Sequence, residues 1–192
     1  MEITFLRHGA TSSNEQKLFC GVSNPSLSIA GQQQAEHAAD LLRNHKIDVF
    51  LCGPSKRTLQ TAKIVMDHLL YTGRAYIDPR IREIDFGEFE NLSFDEIEWK
   101  YPALANRYLN NWLDFTFPSG DNAREYFERC GSVIDEIIAQ YAEQNICIVA
   151  HKGFINACLC RLEHKDQQDM FSYELACGEA KTVHVSCRQK EE

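Results

Sequence analysis

Hydrophobic positions along this sequence fall into short unbroken runs and longer stripes at helical spacing, and the two kinds alternate. Met1 to Leu6 is the first run. It is rich in the β-formers Ile3, Thr4, Phe5 and Leu6 and predicts a short buried strand. Ala35, Ala38, Ala39 and Leu42 then recur at helical spacing in a segment from Ile29 to Asn44 that Ser28 initiates. Ile47 to Cys52 is a second run of strand length, punctuated by Gly53-Pro54-Ser55. The helix predicted after it has Leu59, Ala62, Val65, Met66, Leu69 and Leu70 on one stripe and Arg57 in its first turn. Arg74 to Asp78 predicts a brief strand. The longest stripe runs from Tyr126 and Phe127 through Cys130, Val133, Ile134, Ile137 and Ile138 to Tyr141, so a helix is predicted from about Asn122 to Glu143. Ile146 to Ala150 is a continuous apolar strand of the kind buried on both faces of a parallel sheet. An apolar helix, Phe154 to Leu162, follows it. A last strand is predicted over about Ala180 to Cys187, ahead of a charged tail.

This order predicts an α/β fold of three layers, a mainly parallel sheet flanked by helices, with the final strand antiparallel at or near an edge. The stretch from Glu88 to about Pro118 interrupts the alternation. It holds both tryptophans, Trp99 and Trp112, many other aromatic residues and short helical patterns, but no convincing strand. We read it as a helical, cap-like excursion over the site, at about 88–120, within a single domain covering 1–192. Its aromatic cluster is assigned to packing rather than to stacking on a substrate.

Composition narrows the classes. The 192 residues carry a formal net charge of −8, which argues against a general nucleic-acid binder while permitting a small cationic pocket. No apolar run reaches the length of a membrane-spanning helix, about 18 residues or more. The N-terminus lacks the basic and apolar regions of a signal peptide, so a cytoplasmic location is expected. The eight cysteines, Cys20, Cys52, Cys130, Cys147, Cys158, Cys160, Cys177 and Cys187, are accordingly read as free thiols, most of them in apolar stretches. Cys158-x-Cys160 lies near His164, but no second pair at zinc spacing accompanies it, and no metal site is assigned.

Three predicted strands are each followed by cationic or titratable residues: Arg7 and His8, then Arg57, then His151 with Lys152. In a parallel sheet these groups converge at the carboxyl ends of the strands, where ligands bind. Glu83, in the loop after the short strand, is a candidate to join them. Arginine forks match phosphate oxygens and stay charged at any working pH. A neutral imidazole can attack phosphorus, and a carboxylic acid beside the leaving oxygen can supply its proton. Such a set needs no metal to neutralise the transferring group.

Leu6-Arg7-His8-Gly9-x-Thr11-x-x-Asn14 resembles the signature of the histidine phosphatase superfamily, also called phosphoglycerate mutase-like. Further blocks follow in that family's order: Leu27-Ser28-x-x-Gly31-x-x-Gln34-Ala35, Ser55-Lys56-Arg57-Thr58-x-Gln60-Thr61-Ala62, and Arg82-Glu83-x-x-Phe86-Gly87-x-Phe89-Glu90. Pro118-x-Gly120-Asp121 and Ile148-Val149-Ala150-His151-x-Gly153 complete them. The resemblance implies a phosphoglycerate mutase-like fold and a metal-independent phosphomonoesterase acting on a small phosphorylated metabolite, without cofactor, membrane or nucleic acid. It implies that His8 is the nucleophile that becomes phosphorylated, that Arg7, Arg57 and His151 hold the phosphoryl group, and that Glu83 is the proton donor. Asn14 matches a position beside the phosphate pocket and receives a binding role. The small phosphatases, and among them the α-ribazole phosphatases, are the branch the chain looks nearest to.

Several residues depart from the family's usual pattern. Ala10 stands where many relatives carry Glu, Gly53-Pro54-Ser55 replaces a frequent Ser-Pro-Leu, Asn91 replaces a common Gly, and Asp121-Asn122 replaces Glu-Ser. Lys152 replaces a small or neutral residue after the second histidine and is read as a candidate cation for the phosphate or for a second anionic group. His37, His45, His68, His164 and His184 are assigned to the surface or to structure. A mutase, and a catalytically silent binding protein on the same fold, are the alternatives, and the sequence leaves the oligomeric state open.

Overall fold

The computed structural model describes residues 1–185. Its centre is a five-stranded sheet in the order β3-β2-β4-β1-β5, built from β1 (Glu2–Arg7), β2 (Val49–Cys52), β3 (Ala75–Ile77), β4 (Ile146–Ala150) and β5 (Ala180–His184). β1, β2 and β3 run parallel to their neighbours through β4, and β5 pairs antiparallel with β1 at the edge, as the sequence predicts. The predicted Cys187 end of that last strand lies outside the described residues.

Alternation along the strands builds two cores. Ile3 and Phe5 of β1 share one face with Val49, Leu51, Ile146 and Ile148, and pack against α6 (Ala123–Gln140) and α7 (Lys152–Leu162). Leu6, Phe50, Cys52, Cys147 and Val149 face the other way, onto α2 (Ile29–Leu42) and α3 (Lys56–His68). Helices therefore cover both faces of the sheet, the phosphoglycerate mutase-like arrangement. A short α1 (Ser12–Glu15) follows β1 directly, capped by Thr11.

The excursion contains two helices, α4 (Phe94–Lys100) and α5 (Pro102–Asn110), and no strand. Most of its aromatic side chains turn inward: Phe89, Phe115 and Phe117 are buried and meet one another edge-on or stacked. Trp99 does not follow the packing assignment. It sits on the outer face of α4 and is 85% exposed. Leu70 is a second correction, because α3 ends at His68 and Leu70 adopts φ 53° and points to solvent. Helix boundaries elsewhere shift by a few residues: α2 stops at Leu42, α6 at Gln140, and α7 starts at Lys152, directly after the strand.

No helix among the described residues is long and apolar enough to cross a membrane.

Candidate active site

Register brings the two histidines together. Arg7 pairs with Ala150 across parallel strands, so His8 and His151 are the residues that follow two adjacent strands, and the His8 amide donates to Ala150 O at 3.0 Å. Their rings meet edge-on with centroids 5.2 Å apart. Close approach is made possible by glycine: a Cβ on Gly9 would lie 2.1 Å from the Gly31 carbonyl oxygen, and one on Gly31 would lie 2.0 Å from that of Ala10. The Gly9 and Gly31 positions thus let the start of α2 press against the turn that carries His8.

Hydrogen bonding assigns the tautomers. His8 Nδ1 lies 2.7 Å from the Gly9 carbonyl oxygen, which can only accept, so Nδ1 carries the proton and Nε2 keeps its lone pair. Arg57 Nε–H donates to His151 Nδ1 at 3.3 Å, so His151 carries its proton on Nε2, 3.4 Å from Ser55 Oγ. Both rings are buried. Burial, reinforced by the positive charges of Arg57 and Arg7, holds the His8 pKa down at about 3, against the opposing pull of the Gly9 bond. Burial first, and then Arg57, His8 and Arg7, push His151 well below the ordinary histidine value as well. His8 is therefore a neutral imidazole at any physiological pH.

This has a consequence for stability. In the unfolded chain both histidines titrate near ~6.5, whereas the folded chain refuses those protons. As pH falls below that value the unfolded state takes up protons that the native state does not, and stability declines by up to about 1.4 kcal/mol per pH unit for each histidine. For His8 the decline continues to about pH 3. Above about pH 7 the contribution is flat. Urea unfolding at pH 5 and 7.5 is expected to show a smaller loss of stability in His8→Asn than in the wild type; equal losses would contradict it.

Arg7 and Arg57 occupy different environments. Arg7 lines an open cavity of 510 Å³ together with His8, Asn14, Lys17, Glu83 and Lys152. Its Nη1 donates to Leu175 O at 2.7 Å, and its buried Nε has no partner. Arg57 is 1% exposed and is not on the cavity wall, nor is His151. Besides His151, its guanidinium donates to the carbonyls of Ser23 at 2.7 Å, Gly21 at 2.8 Å and Cys20 at 3.3 Å. Arg57 thus supplies its charge from behind the two histidines. Asn14 lines the cavity, but its Oδ1 is taken by the Thr11 amide and hydroxyl, both at 3.0 Å, in the capping box of α1.

Glu83 is held on three sides. Oε1 accepts from Ile84 N at 3.0 Å and Tyr126 Oη at 2.9 Å, and Oε2 accepts from Gly153 N at 3.1 Å at the start of α7. A Cβ at Gly153 would lie 2.3 Å from Oε1 and displace the carboxyl from this position. Burial above all, with Cys130 and Glu83 as neighbours, raises the Tyr126 pKa well above that of a free phenol, so Tyr126 stays a donor. The loop bearing Glu83 is fixed from its other side by Asp121, which accepts from Arg82 Nη1 at 2.6 Å, Arg82 Nη2 at 3.0 Å and Asp85 N at 2.8 Å. Asn122, the next departure from the family pattern, caps α6 through Glu125 N.

One important residue escaped the sequence reading. Glu90 receives the amides of Gly21 at 2.8 Å, Val22 at 3.0 Å and Ser23 at 3.1 Å. The carbonyls of the same loop hold Arg57. Glu90 therefore positions Arg57, and through it His151, by gathering the amides of a loop whose Gly21 lies 69 residues away from it in sequence. The motif containing Glu90 was visible, but no local spacing reveals so distant a set of amide partners.

The fold and this cluster define a class: paired histidines, guanidinium groups and a carboxyl gathered at the carboxyl ends of the parallel strands. The model of the histidine phosphatase superfamily (branch 1) matches residues 3–191, and the chain belongs to that family. Among similar proteins is one described as putative phosphoserine phosphatase 2 of Hydrogenobacter thermophilus, 25% identical over 94% of this chain and 87% of its own length. The adenosylcobalamin/alpha-ribazole phosphatase of Escherichia coli is 24% identical over 93% of this chain and 87% of its own. The crystal structure of the alpha-ribazole phosphatase from Shigella flexneri superposes with a TM-score of 0.90 at 23% identity, covering 97% of this chain and 91% of the other.

Proposed function

We propose that the protein is a metal-independent phosphomonoesterase that hydrolyses a small phosphorylated metabolite through a phosphohistidine on His8. The observation that carries this reading is the state of His8: a neutral imidazole, its Nδ1 tied to Gly9, with Nε2 as its free lone pair on the wall of a cavity that also holds Arg7 and Glu83. Phosphoryl transfer needs in-line positioning and positive charge around the equatorial oxygens, and little else from the protein. Arg7 would fork onto the phosphoryl oxygens directly, while Arg57 and His151 would add positive charge and a donor from behind His8. Asn14 and Lys152, both on the cavity wall, would contribute further donors.

In the first step, Nε2 of His8 attacks phosphorus and the P–O bond to the alcohol breaks. The departing oxygen takes the proton of protonated Glu83, which is placed beside the leaving group. In the second step a water attacks the phosphohistidine, Glu83 as carboxylate takes the water's proton, and the N–P bond breaks to give inorganic phosphate and free His8. Gly153 N and Tyr126 Oη hold the carboxyl in place for both transfers.

The family resemblance and the E. coli relative's name make α-ribazole phosphate one candidate substrate. A phosphate-release screen over phosphorylated metabolites in EDTA tests the function. Release of inorganic phosphate from at least one monoester in EDTA is expected. Loss of all activity in EDTA would overturn metal independence, and phosphoryl exchange between positions without net phosphate release would indicate a mutase.

A further inference from the structure

A second cavity, of 190 Å³, also has Glu83 in its wall. Phe19, Glu83, Phe86 and Lys152 line both it and the 510 Å³ cavity, so the two adjoin at Glu83. An acid that protonates a leaving oxygen must face the phosphoryl group on one side and the departing alcohol on the other. Resting on the phosphatase reading, we propose that this second cavity receives the alcohol, and that the preferred substrates are phosphate monoesters of alcohols bearing a single apolar ring.

The walls select for such a group. Tyr108, Trp112, Phe117 and Phe127 supply aromatic surface, and Glu83 and Lys152, both at the junction, are the only charged residues among the lining. An amino-acid or glycerate leaving group would bring a carboxylate into this apolar space, where losing water is costly without a partner. Lys152 at the junction is the one cation available, and it lies equally along the phosphate side. Size points the same way: a dry cavity of ~150 Å³ accepts benzene. The 190 Å³ here takes one ring and a short linker.

The rim is built rather than incidental. Trp112 meets Phe171 edge-on at 4.6 Å between centroids and Phe127 at 5.6 Å. Phe171 is 52% exposed at the mouth. Its segment is pinned to α7 by buried Asn156, whose amide donates to Met170 O at 2.8 Å and Tyr173 O at 3.2 Å. Phe171 is thereby held against Trp112 on the cavity wall.

Benzyl phosphate, O-phosphoserine and glycerol 3-phosphate test this directly, because all three release primary alcohols and differ chiefly in what must be accommodated. We expect kcat/KM for benzyl phosphate to exceed the other two by about 10- to 100-fold, the range that burying one ring supplies. Trp112→Ala is expected to lower the ratio of benzyl phosphate to glycerol 3-phosphate kcat/KM about 10-fold. Phe171→Ala, at an exposed position, lowers the same ratio and serves where the tryptophan variant does not fold. Phosphate release that is equal across the three esters, or a ratio unmoved in a folded variant, would overturn this inference and leave the phosphatase reading standing. Release from none of these esters or of the metabolites in the EDTA screen would instead remove the phosphatase reading itself.

Discussion

His8→Ala is expected to release inorganic phosphate from any substrate at least about 10⁴-fold more slowly than the wild type, the scale on which removal of a covalent nucleophile acts. No other group can take its place. His151 has its Nδ1 occupied by Arg57 and presents a proton, not a lone pair, on Nε2. The variant should remain folded, since the Gly9–Gly31 contact and the β1–β4 pairing do not depend on the imidazole. Without the ring the Arg7 side of the cavity persists, so phosphate esters should still bind. The combination of near-normal ligand affinity with lost turnover separates a nucleophile from a binding residue. A His8→Ala protein with more than a tenth of wild-type kcat/KM would contradict covalent catalysis.

The second large effect belongs to Glu83. Glu83→Gln preserves shape and most of the contacts to Ile84 N, Gly153 N and Tyr126 Oη but cannot give up a proton. For an alkyl phosphate the expected loss is about 10²- to 10⁴-fold, the usual contribution of general acid catalysis. For p-nitrophenyl phosphate, whose leaving group departs as a stable anion, formation of the phosphoenzyme should be nearly normal. A burst of p-nitrophenol followed by slow turnover is then expected, because the same variant lacks the base for the second step. An equal loss of burst rate on both esters would assign Glu83 to structure alone.

Much of this arrangement is legible in the residues themselves. Five consecutive apolar positions between Asn145 and His151 delimit strand β4 to the residue. The convergence of His8 and His151 followed from placing each after a parallel strand, and the register of Arg7 against Ala150 is its structural form. What the residues do not reveal depends on contacts between distant segments. Leu70 has the composition of a helical stripe, yet the helix ends at His68 and the chain turns with φ 53°. Trp99 looks like a core residue by type, but the buried side of α4 is taken by Ile97. The binding mode of Arg57 could not be read either, since its carbonyl partners come from an irregular loop organised by Glu90. Periodicity reports which face of an element is buried. It says nothing of which amides a loop turns toward a carboxylate.

The departures from the family pattern also acquire physical meaning. Asp121 and Asn122 perform two separate tasks, fixing the Glu83 loop through Arg82 and starting α6, so the pair is compatible with an intact site. Lys152, at the first turn of α7, lies on the walls of both cavities.

The most direct test of the central claim is to quench the enzyme within one turnover of a ³²P-labelled monoester and locate the label. Phosphate bound in an acid-labile, alkali-stable linkage and mapped to the peptide containing His8 is the expected result. Turnover with no covalent label, or with label on any other residue, would contradict catalysis through phosphohistidine at His8.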